Sequence, residues 1–373
     1  MARTPVQIEG PEVPEFDRLE GVPHPRETEV LYGHPGVEQL LAQAVAVGRM
    51  PHGWLITGAE GIGKATLAYR LAKHLLAHPS ERDPACRSLA VAPETTAARQ
   101  VRALSHPGLL ALRRPWDARR KRFQSAIPID EVRRLRSFLT HTAVGSGVRV
   151  VIVDTADELA GPAANALLKS LEEPPPLTYF LVLSSEPGRL LATIRSRCRL
   201  LALRPLAATD VKQAAIAAME HGALEKPSSG EWDRLLQLAE GSVGRLLLLR
   251  IAGGLELQAR IDRCLAELPR IDWSAVHGLG DELATAAAEA RFELFYDLLL
   301  KALAGFVRAR AGRDAGEILA GQARRLIPEA KLASWAELWE TLVREKSGAD
   351  AYNLDRKSLI LDTFRRIETA ARA

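Results

Sequence analysis

The chain reads as an α/β protein with a buried parallel sheet in its N-terminal half, a group of short helices after it, and an all-α C-terminal region. Three observations predict this. The runs Val148–Val153 and Tyr179–Leu183 are short, apolar and bounded by polar residues, the pattern of strands buried on both faces. A third run, Trp54–Thr57, feeds directly into a glycine-rich turn and then an amphipathic helix. Beyond Pro205 the composition changes to alanine- and leucine-rich segments at helical spacing.

Length and composition narrow the options. A chain of 373 residues has room for roughly two or three domains, each with its own core. Apolar residues at 47% and charged residues at 26% suit a soluble globular protein. A formal charge of +4 permits contact with nucleic acid without arguing for it. The cysteines Cys86, Cys198 and Cys264 are far apart and form no CxxC pair, which excludes a disulfide framework and a cysteine-based zinc site. Residues 1–25 carry prolines and acids but no apolar core, so they read as a polar, flexible extension rather than a signal peptide. No run reaches the roughly 18 apolar residues of a membrane span. The cytoplasm is the expected location.

In chain order, Thr28–Val47 predicts a helical approach segment, with Val37, Leu40, Leu41 and Val45 near helical spacing. After a turn at Arg49–Gly53 and the short strand Trp54–Thr57 comes Gly58-Ala59-Glu60-Gly61-Ile62-Gly63-Lys64-Ala65-Thr66, with a helix through Leu76. This is a phosphate-binding loop in its expected context. Gly58, Gly61 and Gly63 let backbone N–H groups converge on phosphate oxygens at a helix N-terminus, and Lys64 adds a point charge.

Two parts of a hydrolytic site are missing. The hydroxyl that should follow the lysine and ligate Mg²⁺ is replaced by Ala65, and Thr66 lies about 100° further round the helix. Asp154, at the end of the acid strand, is followed by Thr155 rather than the glutamate that would polarise water. Asp157 and Glu158 come later and read as a solvated turn or the approach to the next helix. Nucleotide binding at Lys64 is therefore expected to be weak or vestigial, with no metal held and no cofactor required.

Leu109–Phe123 combines six basic residues with one acid and the interleaved aromatics Trp116 and Phe123. It reads as a solvated loop joining an edge strand to a helix near Ile129, with a phosphate-backbone patch as the alternative. A helix over Ala163–Leu171 is stopped by Pro174-Pro175-Pro176, because proline lacks the N–H and clashes with the preceding turn. The strand after it ends in the hydroxyl pair Ser184 and Ser185, and Ser196-Arg197-Cys198 precedes the apolar run Leu200–Leu203. Strand and acid, helix, strand and hydroxyl, then arginine is the order of parts in an oligomeric P-loop ATPase.

Here a resemblance becomes specific. Asn165–Pro175 (NALLKSLEEPP) with Ser196-Arg197-Cys198 resembles the bacterial DNA polymerase III clamp-loader family. Gly33-His34, Pro51-His52, the Gly61-Ile62-Gly63-Lys64 loop and Asn353-Leu354-Asp355-Arg356-Lys357 extend the likeness from about residue 28 to the end. The missing metal hydroxyl and glutamate favour the delta-prime branch over the gamma/tau motor. The resemblance implies an α/β P-loop AAA+ domain with a parallel sheet, a small helical lid and an all-α C-terminal collar. It also implies a place in a five-subunit spiral, with gamma/tau and delta subunits as partners, that loads the sliding clamp onto primed DNA in the nucleoid-associated replisome. Arg197 would act as an arginine finger in trans, and Ser184 and Ser185 would be sensor-like. Many relatives carry a four-cysteine zinc module, but residues 78–106 hold only Cys86, so no zinc is expected. Arg245 in Gly241-Ser242-Val243-Gly244-Arg245 stands one position later than the sensor arginine of the motor subunits, which turns it off the nucleotide side.

The expected domains are the extension 1–25, the P-loop domain 26–206, a three-helix lid 207–254 and an oligomerisation domain 255–373. The lid helices are Asp210–His221, Glu231–Glu240 and Val243–Ile251, and Gly253-Gly254 reads as the hinge beyond them. Helices are then expected over Glu282–Arg310, Ser334–Arg344 and Leu354–Ala370, the last with a stripe of Ile360, Phe364 and Ile367. Two rivals remain at this stage. One is a catalytically active AAA+ ATPase, either a clamp-loader or a helicase-type motor. The other is a scaffold in which Arg197 is an ordinary interface ion pair.

Overall fold

The computed structural model describes residues 15, 18–83, 85, 87–119, 122–140, 147–312, 317–352 and 355–372. Cys86, most of the 1–25 extension and the pair Arg120 and Lys121 lie outside the described residues. The chain forms two compact units, one from the residues up to 228 with 236–246, the other from 229–235 with 247 onward.

The first unit begins with α1 (Pro35–Ala46), β1 (Gly53–Thr57), α2 (Lys64–Leu76), α3 (Thr96–Arg102), β2 (Leu109–Leu112), β3 (Trp116–Asp117) and β4 (Arg122–Phe123). It continues with α4 (Ile129–Thr140), β5 (Arg149–Val153), α5 (Gly161–Glu172), β6 (Thr178–Ser184), α6 (Ala192–Arg197), β7 (Arg199–Ala202) and α7 (Ala208–His221). Five strands make one parallel sheet in the order β2-β5-β6-β1-β7. The register sets Leu55 opposite Val182 on one side and Leu200 on the other.

Alternation along the strands divides the core. Leu55, Val151, Val153, Phe180 and Val182 join Val132, Leu135, Leu167 and Leu171 of α4 and α5 in one buried cluster. Their neighbours Ile56, Val150, Ile152 and Leu181 point to the opposite face, where α2 runs against β5 and β6. All of these are fully or almost fully buried, which is why the strands read as continuous apolar runs.

Two local expectations for this unit are corrected. The approach helix starts at Pro35, not Thr28: Gly33 takes φ +75°, and Pro35 occupies the first helical turn, where its missing N–H costs nothing. The basic stretch is not simply a loop. Trp116 and Phe123 pair across the antiparallel ribbon β3–β4, with ring centroids 4.9 Å apart and edge-on. Two of its arginines are committed to acids, Arg113 to Glu15 at 2.8 Å and Arg114 to Glu158 at 2.8 Å.

Two helices, α8 (Ser229–Ala239) and α9 (Val243–Ile251), contribute residues to both units. The second unit continues with α10 (Gly254–Ala266), α11 (Trp273–Leu283), α12 (Glu289–Arg310), α13 (Glu317–Leu326), α14 (Leu332–Tyr352) and α15 (Arg356–Arg372). A single helix from Glu282 is thus replaced by two, separated by a 3-10 turn at Ala286–Ala288. The stripe of Ile360, Phe364 and Ile367 is fully buried. Phe364 lies 6.2 Å from Phe295, and the Tyr296 and Thr363 hydroxyls are hydrogen-bonded at 3.0 Å. No helix among the described residues is long and apolar enough to cross a membrane.

Candidate nucleotide site and edge arginine

The site grows from β1, an interior strand between β6 and the edge strand β7. The β1 strand ends at Thr57, the loop turns back at Gly58, and α2 begins at Lys64 with Gly63 before it at φ +103°. Gly58 is sterically required as glycine: a Cβ there would stand 2.4 Å from Ile62 Cδ1 and 2.7 Å from the Leu203 carbonyl oxygen. These turns give the loop the shape of a phosphate cradle.

Lys64 is buried at the foot of the cradle. Its ammonium donates to the carbonyls of Gly58 and Ala59, both at 2.8 Å, and to Ser185 Oγ at 2.9 Å. Burial lowers its pKa, opposed by the negative charges of Glu60, Asp154 and Asp157. Asp154, half-buried at the end of β5, donates its N–H to the Leu112 carbonyl at 2.9 Å. Thr66 is half-buried on the first turn of α2.

The turn after β5 departs from the expectation that Asp157 is solvated. Thr155 takes a left-handed conformation, φ +61° and ψ +66°, and starts the 3-10 turn Ala156–Glu158. That turn aims Asp157 at the end of β6. Its carboxylate accepts from Ser184 Oγ at 2.6 Å, from the Ser185 N–H at 2.6 Å and from the Glu186 N–H at 3.2 Å. Glu158 pairs with Arg114, and burial raises its pKa against that arginine's pull. Ser184, Ser185, Lys64 and Asp157 are therefore brought together. The sequence singled out the first three; Asp157 could have been found only by knowing that β5 and β6 are neighbours.

The crest of the loop is stitched to the segment before and at the start of α9. Ser242 Oγ donates to the Glu60 carbonyl at 2.7 Å, and the Gly244 N–H donates to the Gly61 carbonyl at 3.0 Å. His34 Nε2 meets the Ile62 carbonyl at 3.1 Å from the other side. Arg245 turns back to donate to the Leu238 carbonyl at 2.6 Å, a structural engagement consistent with its shifted position.

Arg197 stands apart from the loop, at the end of α6 beside the edge strand β7. Its guanidinium pairs with Glu172 at 2.6 Å and donates to the Thr193 carbonyl at 3.0 Å, with a third of the side chain exposed. Both cysteines described, Cys198 and Cys264, are buried free thiols, and burial pushes the Cys198 pKa up to about 11. Among the described residues no group of His, Cys, Asp or Glu is arranged to hold a metal ion.

Comparison with known proteins adds the family. The profile of the family described as DNA polymerase III, delta subunit, matches residues 33–207. The Escherichia coli DNA polymerase III subunit delta' is 32% identical over 342 residues, covering 90% of this chain and 93% of that one. The Pseudomonas aeruginosa subunit delta' is 37% identical over 165 residues, 44% of this chain and 47% of that one. The DNA polymerase III subunit gamma/tau of Mycobacterium tuberculosis strain H37Rv is 28% identical over 387 residues, 90% of this chain and 63% of that protein. With a P-loop α/β domain, a largely helical C-terminal region and this likeness along nearly its whole length, the chain belongs to the delta' family of DNA polymerase III subunits.

Proposed function

We propose that the chain is a non-hydrolysing subunit of a DNA polymerase III clamp loader that completes a neighbour's ATPase site with Arg197. The observation that carries this reading is the engagement of both carboxylates following Asp154. Asp157 is consumed by the end of β6 and Glu158 by Arg114. Neither is left to act as a general base, and Ala65 offers no hydroxyl for Mg²⁺. If nucleotide binds, Gly61, Gly63 and Lys64 would hold its phosphates, and Lys64 would exchange its bonds to the loop carbonyls for them. Weak ATP or ADP binding without turnover is the expected behaviour, with no zinc required.

Arg197 has the opposite disposition. A partly exposed guanidinium at the sheet edge, held by one exchangeable carboxylate, can turn outward to the γ-phosphate of a neighbouring subunit's ATP. There it would stabilise charge in the transition state. The partners are then gamma/tau and delta subunits, with the sliding clamp and primed DNA engaged through the complex in the cytoplasmic replisome. The proposed division is a P-loop domain to about residue 206, a lid to 254 and an oligomerisation domain beyond; Glu15 and the fully buried His24, inside the expected extension 1–25, belong to the first unit, Glu15 by its pairing with Arg113.

Two assays test this. The purified chain alone, with Mg²⁺ and primed DNA, should show no ATP turnover above buffer; robust turnover abolished by Lys64→Ala would reassign it as a motor. In the reconstituted loader, Arg197→Ala should lower turnover at the site it faces by about 10³ or more while assembly is unchanged. Full DNA-dependent turnover in that variant would leave Arg197 as an ordinary interface ion pair.

A further inference from the structure

The last residues of two packed helices hold each other. Glu172 ends α5 and Arg197 ends α6, and Arg197 Nη2 lies 2.6 Å from the Glu172 carboxylate. Arg197 Nη1 donates to the Thr193 carbonyl of its own helix at 3.0 Å. Between these two bonds the guanidinium is folded back along α6 rather than extended from the sheet edge.

Glu172 is unfavourably placed without a cation. The C-terminal end of a helix carries partial negative charge, and Glu173 sets a second carboxylate beside the first. Lys169 in the last turn offsets part of this, and Arg197 meets Glu172 directly. The pair is nevertheless open to water, with 34% of the arginine side chain and 47% of the glutamate side chain exposed. An ion pair in that setting is weak and exchangeable, shifting the balance between a docked and a free guanidinium by no more than about fivefold. A γ-phosphate carries more charge and three acceptor oxygens, so it outcompetes one carboxylate once it is presented.

We propose that Glu172 is a positioning residue that regulates Arg197, keeping the guanidinium retracted until the γ-phosphate of a neighbouring subunit's ATP displaces the carboxylate. This rests on the trans role proposed above for Arg197. Its consequence is restraint: a poorly placed phosphate does not draw the arginine away from Glu172, and turnover at the neighbour's site is held down.

The test is steady-state ATP turnover by the reconstituted loader without DNA, so that only the neighbour's ATP draws on Arg197. Glu172→Gln removes the charge and keeps the shape, and turnover should rise about two- to fivefold, with Glu172→Ala behaving alike. The rise should shrink as salt is added, because screening weakens the unaltered pair in the same way. It should be absent from the double variant Glu172→Gln with Arg197→Ala, which should match Arg197→Ala alone; a glutamate with a merely structural role would not show that dependence. Equal turnover in Glu172→Gln and the unaltered chain, with Arg197→Ala depressed, would overturn the restraint and leave the finger standing. A fall in Glu172→Gln would overturn it as well, since the carboxylate would then assist the arginine. A rise that persists in the double variant would assign the effect to another group and overturn it too. Full turnover in Arg197→Ala would instead remove the trans role itself, and the restraint with it.

Discussion

Ser185 joins Lys64 to Asp157: its hydroxyl accepts from the lysine ammonium at 2.9 Å while its N–H donates to the carboxylate at 2.6 Å. The phosphate loop, the end of β6 and the turn after β5 are thereby linked through one residue, and each end of the link has a measurable consequence.

Asp157→Ala removes the acceptor of three hydrogen bonds and strands the fully buried Ser184 hydroxyl. Unsatisfied groups of this kind cost about 1–3 kcal/mol each, so a total loss of about 2–4 kcal/mol is expected in urea unfolding. Asp157→Asn, which keeps one acceptor oxygen, should lose less. A change below about 1 kcal/mol in the alanine variant would mean that water replaces the carboxylate.

Thr155 is a β-branched residue held at φ +61°. The left-handed region costs such a residue about 1–2 kcal/mol, while glycine adds unfolded-state entropy of about 0.4–1 kcal/mol. Thr155→Gly should therefore stabilise the chain by roughly 0.5–1 kcal/mol, read as a raised urea midpoint at constant slope. A destabilised variant would show that the threonine methyl or hydroxyl contributes more than the strain it carries.

Gly61→Ala tests the stitch over the loop. The added Cβ would lie 2.5 Å from Ser242 Oγ and 2.8 Å from the Gly244 Cα, on a backbone at φ +72°. The side chain of Ser242 can rotate away but the Gly244 backbone cannot, so a loss of about 1–3 kcal/mol is expected. Ser242→Gly should recover only part of it, as measured by the unfolding midpoint of the double variant.

His74 gives the chain an acid-sensitive term. Burial, then the nearby charges of Arg82 and Arg70, lower its pKa from 6.5 to about 4. The unfolded state therefore binds the proton first. Stability is fully present above pH 6.5 and declines as pH falls toward about 4, by about 3 kcal/mol at most. His74→Leu should flatten the stability profile in that window; an unchanged slope would assign the acid sensitivity to other groups.

What could be read from the sequence was what is local. The run from Trp54 through Gly58 to Leu76 declares strand, turn and helix within its own neighbours, and β5 and β6 announce themselves by apolar runs bounded by polar residues. The engagement of Asp157 could not be read, because its partners lie 27 to 29 residues away and meet it only through strand pairing. Ser242 on the Glu60 carbonyl, 182 residues apart, is the same problem at greater range. The break between α11 and α12 was hidden for another reason: Ala284–Ala288 contains four alanines, whose helix propensity gives no stop signal. The sequence order of Ser196-Arg197-Cys198 could not show that Glu172 holds the guanidinium.

The order of strands also carries a cost in time. The β1 strand is made early, yet its two neighbours in the sheet are β6 and β7, about 125 and 145 residues later. At a synthesis rate of roughly 5–20 residues per second, an emerging apolar segment waits between about 6 and 25 s for its first strand partner to be translated. During that interval Trp54, Leu55 and Ile56 have no sheet to enter. The interior position that buries the phosphate loop's anchor so completely in the finished protein is one that both of its strand partners reach only late in synthesis.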